Sequence, residues 1–276
     1  MSIRSFHFGL ILWCLSLTPS AAETLVLVQG YLGSDRSWRE SGVTTTLHNS
    51  GWRDAGHLTF GPNGVRLLAG RTSGNYRFYT INLVTEAPLI VQADSLARYI
   101  GYIAKRHPKE PIKLIGHSAG GVVARLCIVR HQSLPIETLI TIASPHLGTE
   151  TAEYGSLIGN SPLGWVTPFM GAGTINRSQY LYKDLARERP GNLLGWLNRQ
   201  SHPVANYVSV VRVKNGRRPD LGDSVSQGWS QDMNSVPALR GHAKTVFSSG
   251  DHKLRFDDGP LLVNLLRSTH SSAKAN

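Results

Sequence analysis

Ten residues constrain this chain more than any others. Ile112-Lys113-Leu114-Ile115 is a short run rich in β-branched residues, and it leads directly into Gly116-His117-Ser118-Ala119-Gly120-Gly121. An apolar run from Val122 to Val129 follows. The pattern predicts a buried strand, a tight turn and a helix. A Gly-x-Ser-x-Gly sequence in that context lifts the serine hydroxyl out of the fold on a strained backbone. Gly116 and Gly120 leave room for close neighbouring chains. The turn also aims the first amides of the helix at a point beside the serine, where a developing negative charge is stabilised. Without the flanking strand and helix, the five-residue pattern would read as a Gly-Ser loop. With them, Ser118 reads as a nucleophile.

The N-terminus reads as a leader. Arg4 gives a positive start, Phe8 to Leu17 an apolar stretch, and Ser20-Ala21-Ala22 a small-residue cleavage site. Cleavage after Ala22 is expected, so residues 1–22 are a signal peptide and the protein is exported, to a periplasm or the medium. The apolar stretch is short for a bilayer span, which disfavours an uncleaved anchor. Residues 23–276 suffice for one large α/β domain with a sizeable core. Cys14 leaves with the leader. Cys127 then has no disulfide partner and reads as a buried thiol in an apolar helix.

The formal net charge is +11 and unevenly spread. Between Arg177 and Arg218 there are nine Lys and Arg residues against Asp184 and Glu188. Such a stretch is a solvated basic face or a surface for anionic membranes. No aromatic-interleaved basic pattern is present, so nucleic acid is not an expected partner.

Buried strands of a parallel sheet read as short apolar runs separated by helices. Leu25 to Val28, Arg77 to Leu83, Ile112 to Ile115, Leu139 to Ala143, Tyr207 to Val213 and Thr245 to Phe247 fit. Leu89 to Ala104 is an amphipathic helix, and Pro260 to Arg267 a closing one. The alternation implies a mainly parallel sheet with helices on both faces. Residues 148–205 break the rhythm, with Leu157, Leu163, Trp165, Val166, Phe169 and Met170 among Gly, Ser and Pro. They read as an inserted cap leaving the C-terminal edge of the sheet, where ligands bind. The alternative is a helical excursion packed on the core, with short helices at Leu181 to Ala186 and Leu193 to Leu197.

A serine hydroxyl needs a base to take its proton, and the base needs a partner that fixes its tautomer. In the α/β-hydrolases, which this elbow resembles, the chain order is Ser, acid, His. Of the histidines after Ser118, His131 ends the elbow helix and should point away. His146 follows a strand and is expected at the pocket wall. His202 lies in the insertion, His242 precedes its strand, and His270 lies in a polar tail. His252, after the last strand and before the final helix, sits where a base should face Ser118. For the acid, Asp223 in Gly222-Asp223-Ser224-Val225 has the right position. Asp220 is the main rival and Asp232 the second, and Arg217 and Arg218 favour ionisation of Asp220 or Asp223. An oxyanion hole needs two amides. Ala119 offers one, and the other is expected from the loop Gln29-Gly30-Tyr31-Leu32-Gly33, through the Tyr31 backbone.

Together these segments resemble bacterial serine esterases and lipases of the α/β-hydrolase superfamily. The chain is similar to lipases with a His-Gly-x-Leu-Gly oxyanion segment and a Gly-His-Ser-x-Gly elbow. The matching pieces are Gly30-Tyr31-Leu32-Gly33, Gly116 to Gly121, Ala143 to Thr149, Gly222 to Val225 and Asp251-His252. The resemblance implies an α/β-hydrolase fold, a Ser118–Asp223–His252 triad, and Tyr31 and Ala119 as oxyanion donors. Gln29 stands where such lipases often carry histidine, so the oxyanion loop is expected to be held differently. No calcium-ligand set of the kind some of these lipases carry is evident; Asp257-Asp258 is a suggestive pair only.

The expected activity is hydrolysis of acyl or lipid esters through an acyl-enzyme, without cofactor or metal. A thioesterase, amidase or deacylase would use the same machinery. A non-catalytic membrane-surface binding protein is the alternative from another class.

Overall fold

The computed structural model describes residues 22–70, 74–150, 178–214 and 218–273. Eight strands form one sheet in the order β3-β2-β4-β1-β5-β6-β7-β8. They are β1 (Glu23–Val28), β2 (Arg53–Gly61), β3 (Gly64–Leu68), β4 (Tyr76–Ile81), β5 (Ile112–His117), β6 (Ile136–Ile142), β7 (Asn206–Val213) and β8 (Ala243–Ser249). The β2–β3 pair is antiparallel, and the other neighbours in the sheet run parallel.

The central strands are buried on both faces, as their apolar runs imply. In β1, Val26 and Val28 join a core with α3 (Leu89–Arg106) and α4 (Ala119–Arg130). Leu25 and Leu27 face the opposite core. That second core takes Trp38 from α1 (Ser37–Glu40), Val43 and Leu47 from α2 (Val43–Asn49), and Leu262, Leu265 and Leu266 from the C-terminal helix Asp258–Ala273. Helix α4 is buried from Ala119 to Val129, Arg125 included. A helix surrounded on all sides shows no amphipathic stripe, only an apolar run.

The topology places the site. After β1 the chain builds β2, β3 and β4 on one side, and α3 then crosses back to β5 on the other. The direction of winding reverses between β1 and β5, which opens a crevice at their C-terminal ends. Val28 pairs in register with Gly116, so the loop after β1 runs alongside His117 and Ser118.

The β2–β3 hairpin and helices α1 and α2 were not among the expected elements. In β3 every second residue is exposed, and β2 carries Gly56 beside a register shift between Asp54 and His57. An edge hairpin with a bulge lacks the continuous apolar run of a central strand. The expected leader lies outside the described residues, Ala22 apart. So do Leu157, Leu163, Trp165, Val166, Phe169 and Met170 of the expected cap. Of that insertion, residues 178–184 are helical, and so is Leu193–Leu197. Leu181, Leu194 and Leu197 of these helices, with Leu185 just after the first, are buried in the core shared with α3 and α4.

Candidate active site

The elbow forms where β5 meets α4. Ser118 lies between them with φ 53° and ψ −131°, a conformation that L side chains rarely adopt. Backbone contact on both sides compels it. A Cβ on Gly116 would lie 2.4 Å from Gly121 Cα, and one on Gly120 would lie 2.3 Å from the Gln29 carbonyl oxygen. The Ser118 amide donates to the Ile142 carbonyl at 2.9 Å, and the Gly121 amide donates to the Ser118 carbonyl at 3.0 Å. These bonds fix the turn to β6 and to the first turn of α4.

Three buried side chains line up beyond it. Ser118 Oγ lies 2.8 Å from His252 Nε2, and His252 Nδ1 lies 2.8 Å from Asp223 Oδ2. A carboxylate only accepts, so Nδ1 carries the hydrogen and Nε2 accepts from the serine hydroxyl. The other Asp223 oxygen accepts from the amides of Val225 and Ser226, each at 2.8 Å. Those two bonds give the buried carboxylate backbone partners and fix its orientation toward the ring. The order Ser–His–Asp, with one proton able to move along it, suits general-base activation of the hydroxyl.

The loop after β1 packs against the elbow. A Cβ on Gly30 would lie 2.9 Å from Ser118 Cβ. Leu32 is left-handed at φ 55°, and its amide donates to Thr85 Oγ1 at 3.1 Å. The Tyr31 phenol donates to Ser178 Oγ at 2.9 Å and shares a 2.8 Å hydrogen bond with Tyr182 Oη. Gln29 is buried and braces the loop: its amide, oriented to satisfy both neighbours, donates to the Ile81 carbonyl at 2.9 Å and accepts from the Leu83 amide at 2.8 Å. Ala119 opens α4, where the first amides have no acceptor within the helix. Its amide and the β1 loop therefore flank the serine.

The remaining candidates lie elsewhere. Asp220 is exposed and paired with Arg218 at 2.6 Å, which lowers its pKa through that hydrogen bond. Asp232 caps the turn at Met233–Ser235 and accepts from Thr245 Oγ1 at 2.8 Å. His131 leaves the end of α4 and meets Asp94 at 2.8 Å. His242 is exposed at the start of β8. His202 binds the Gln200 carbonyl at 2.8 Å. His270 has its side chain outside the described set. His146 is a correction: it does not border an open pocket but is fully buried, with Nε2 3.1 Å from Thr141 Oγ1. The Asp257-Asp258 pair is divided. Asp258 is buried in a bidentate pair with Arg212 at 2.8 and 2.9 Å, while Asp257 meets Arg255 at 3.2 Å. Several basic residues of the 177–218 stretch are likewise paired, Arg187 with Glu150 and Arg199 with Glu188. Cys127 is buried, and burial raises its thiol pKa.

Three further residues join the site that sequence reasoning quoted in motifs without a role. His117 Nε2 donates to the His252 carbonyl at 2.7 Å. The His252 amide donates to Asp251 Oδ1 at 2.9 Å. The same Asp251 oxygen accepts from the Ser224 amide at 3.3 Å and from the Ser224 hydroxyl. Desolvation, reinforced by the nearby His252, depresses the His117 pKa to about 3, so its ring is neutral. Adjacency to Ser118, Asp223 and His252 was the available signal, but adjacency along the chain does not reveal what a side chain faces.

Comparison with known proteins agrees with this architecture. The mature form of the Bacillus licheniformis lipase BlEst2 superposes with a TM-score of 0.60 at 17% identity, covering 90% of this chain and 92% of that one. A metagenomic carboxyl esterase superposes with a TM-score of 0.52 at 16% identity, covering 84% of this chain and 65% of that one. In sequence, a GPI inositol-deacylase of Debaryomyces hansenii is 31% identical over 97 residues. That match covers 30% of this chain and spans 9% of the yeast protein's length. The model of the PGAP1-like alpha/beta domain matches residues 20–157, half of the 276-residue chain. The chain thus belongs to the PGAP1-like alpha/beta domain family and has the α/β-hydrolase fold of esterases and lipases.

Proposed function

We propose that this protein is an exported serine ester hydrolase acting on acyl or lipid esters. The observation that carries the reading is the hydrogen-bonded line from Ser118 through His252 to Asp223 at the switch point of the sheet. In this scheme Ser118 Oγ attacks the ester carbonyl while His252 Nε2 takes its proton. Asp223 orients the ring and offsets the positive charge that develops on it. The amides of Ala119 and Tyr31 hold the tetrahedral oxyanion. His252 returns the proton to the departing alcohol, leaving an acyl-enzyme on Ser118. Water, deprotonated by His252, then releases the acid. No cofactor enters these steps. The site is tested with a fluorophosphonate probe and p-nitrophenyl esters of several chain lengths. Labelling and turnover in the wild type, both lost in Ser118→Ala, are expected; labelling of another serine overturns the assignment.

Export rests on the leader-like residues 1–22, and a cap on the sequence pattern of 148–205. Sequencing the N-terminus of the secreted form should begin at Glu23 or within a few residues of it, whereas a mature form that retains Arg4 would mean an anchor. The basic stretch between Arg177 and Arg218 supports weak attraction to anionic membranes, where a lipid ester is presented.

A second reading, a deacylase, is favoured by the match to the GPI inositol-deacylase. The same acyl transfer would then remove an acyl group from a polyol such as inositol. Release of fatty acid from an acylated inositol, compared with p-nitrophenyl esters of the same acyl length, separates the two readings.

A further inference from the structure

We propose that His117, Ser224 and Asp251 form a positioning ring that holds the base in register with the nucleophile and the acid. The inference rests on the triad reading and deepens it. Each member is a chain neighbour of a triad residue: His117 precedes Ser118, Ser224 follows Asp223 and Asp251 precedes His252. Through them the three loops are tied by bonds separate from the Ser118–His252–Asp223 line.

The need for such a ring comes from the backbone. The Ser118 amide is held by a main-chain carbonyl of β6, and the Asp223 amide donates to the Ser226 carbonyl at 3.2 Å. His252 is held differently. Its amide ends on the Asp251 carboxylate at 2.9 Å and its carbonyl on the His117 ring at 2.7 Å. Both of its main-chain polar groups thus meet side chains. Asp251 Oδ1 gathers that amide together with the amide and hydroxyl of Ser224, so the base loop and the acid loop share one oxygen. Downstream, Arg212 and Asp258 anchor the loop independently, with the Arg255 amide donating to Asp258 at 2.7 Å. Loss of a ring contact therefore shifts His252 rather than melting its loop. A displacement near 1 Å costs a reaction on the order of 10²-fold.

Two pairs of variants in the full chain test this. A glutamine at 117 carries its amide nitrogen to the reach of Nε2, and an asparagine stops one bond short. An asparagine at 251 keeps the accepting oxygen, and an alanine removes it. His117→Gln and Asp251→Asn are expected to keep kcat within ~3-fold of the wild type. His117→Asn and Asp251→Ala should lower kcat ~10- to 100-fold with KM nearly unchanged. Melting temperatures should be alike within each pair. Equal activity within both pairs overturns the ring, as does a loss that follows melting temperature instead of hydrogen-bonding reach. Failure of the underlying reading has a separate signature: a wild type that neither hydrolyses esters nor labels at Ser118.

Discussion

The two ends of the sheet both bury charge, and they partner it in different ways. At the N-terminal end, Lys113 pairs with Glu23 at 2.9 Å and Arg77 pairs with Glu110. Arg77 also donates to His107 Nδ1 at 3.0 Å, and His107 Nε2 donates to the Tyr79 phenol oxygen at 2.8 Å. Fixed cations meet fixed anions there. At the C-terminal end the His252 imidazole stands between a hydroxyl and a carboxylate, 2.8 Å from each. Three residues near it, Leu32, Ser118 and Ala143, hold φ between 53° and 55°. Burial of charge marks both ends; backbone strain combined with a transferable proton marks one.

Ser118→Ala is the sharpest way to separate the two ends. It should reduce kcat on the order of 10⁶-fold and leave the melting temperature near the wild type. Retained turnover in that variant would place the chemistry elsewhere. Asp223→Asn should come next, with kcat lowered on the order of 10⁴-fold because the imidazole loses the partner that sets its tautomer. Asp220→Asn, three residues away and exposed, is the matched control and should change kcat less than ~2-fold, since an exposed pair with Arg218 contributes little. The reverse ranking would move the acid to Asp220.

The opposite end should answer in stability. Lys113→Met removes the cation that buried Glu23 meets at 2.9 Å. Breaking a buried pair in this way costs about 3–5 kcal/mol. The melting temperature should fall on the order of 10 °C, while kcat/KM measured well below the transition stays within ~2-fold. A large loss of kcat/KM at a temperature where Lys113→Met is folded would show that the two ends are coupled through β5, and the contrast between them would collapse.

What the sequence disclosed follows from where each signal resides. The elbow was legible because strand, Gly-x-Ser-x-Gly and helix are contiguous. His252 was legible because it follows β8 and precedes the final helix. Asp223 and Asp220 sit in the same loop; the structure differs between them in burial, with Asp223 at 3% exposure and Asp220 exposed beside Arg218. The hairpin β2–β3 was missed because β3 is the edge strand and neither strand is continuously apolar. The contacts of His117 and Asp251 were missed for another reason. They join positions 135 and 27 residues apart, and no periodicity encodes which loop tips meet.

The smallest expected effect is on acid stability, and it tests the ends against each other. His117 has its pKa depressed to about 3 by desolvation and by His252. His107 is also lowered, by burial and then by Arg77, with Glu110 opposing. Each ring is neutral when folded and takes up a proton on unfolding once the pH falls below the ordinary value of about 6.5. Their contribution to stability is complete above that pH. It declines as the pH drops through the interval between the ordinary and the folded pKa, which for His117 extends down to about 3. Urea unfolding of His117→Gln from pH 6.5 to pH 4 should therefore show a slope of stability against pH that is shallower by about one proton than the wild type's. His107→Gln should reduce the slope less, because Glu110 restores part of that ring's affinity for a proton. Equal slopes in wild type and His117→Gln would mean that His117 titrates near its ordinary value. The bond from Nε2 to the His252 carbonyl would then belong to a ring that becomes charged in mild acid.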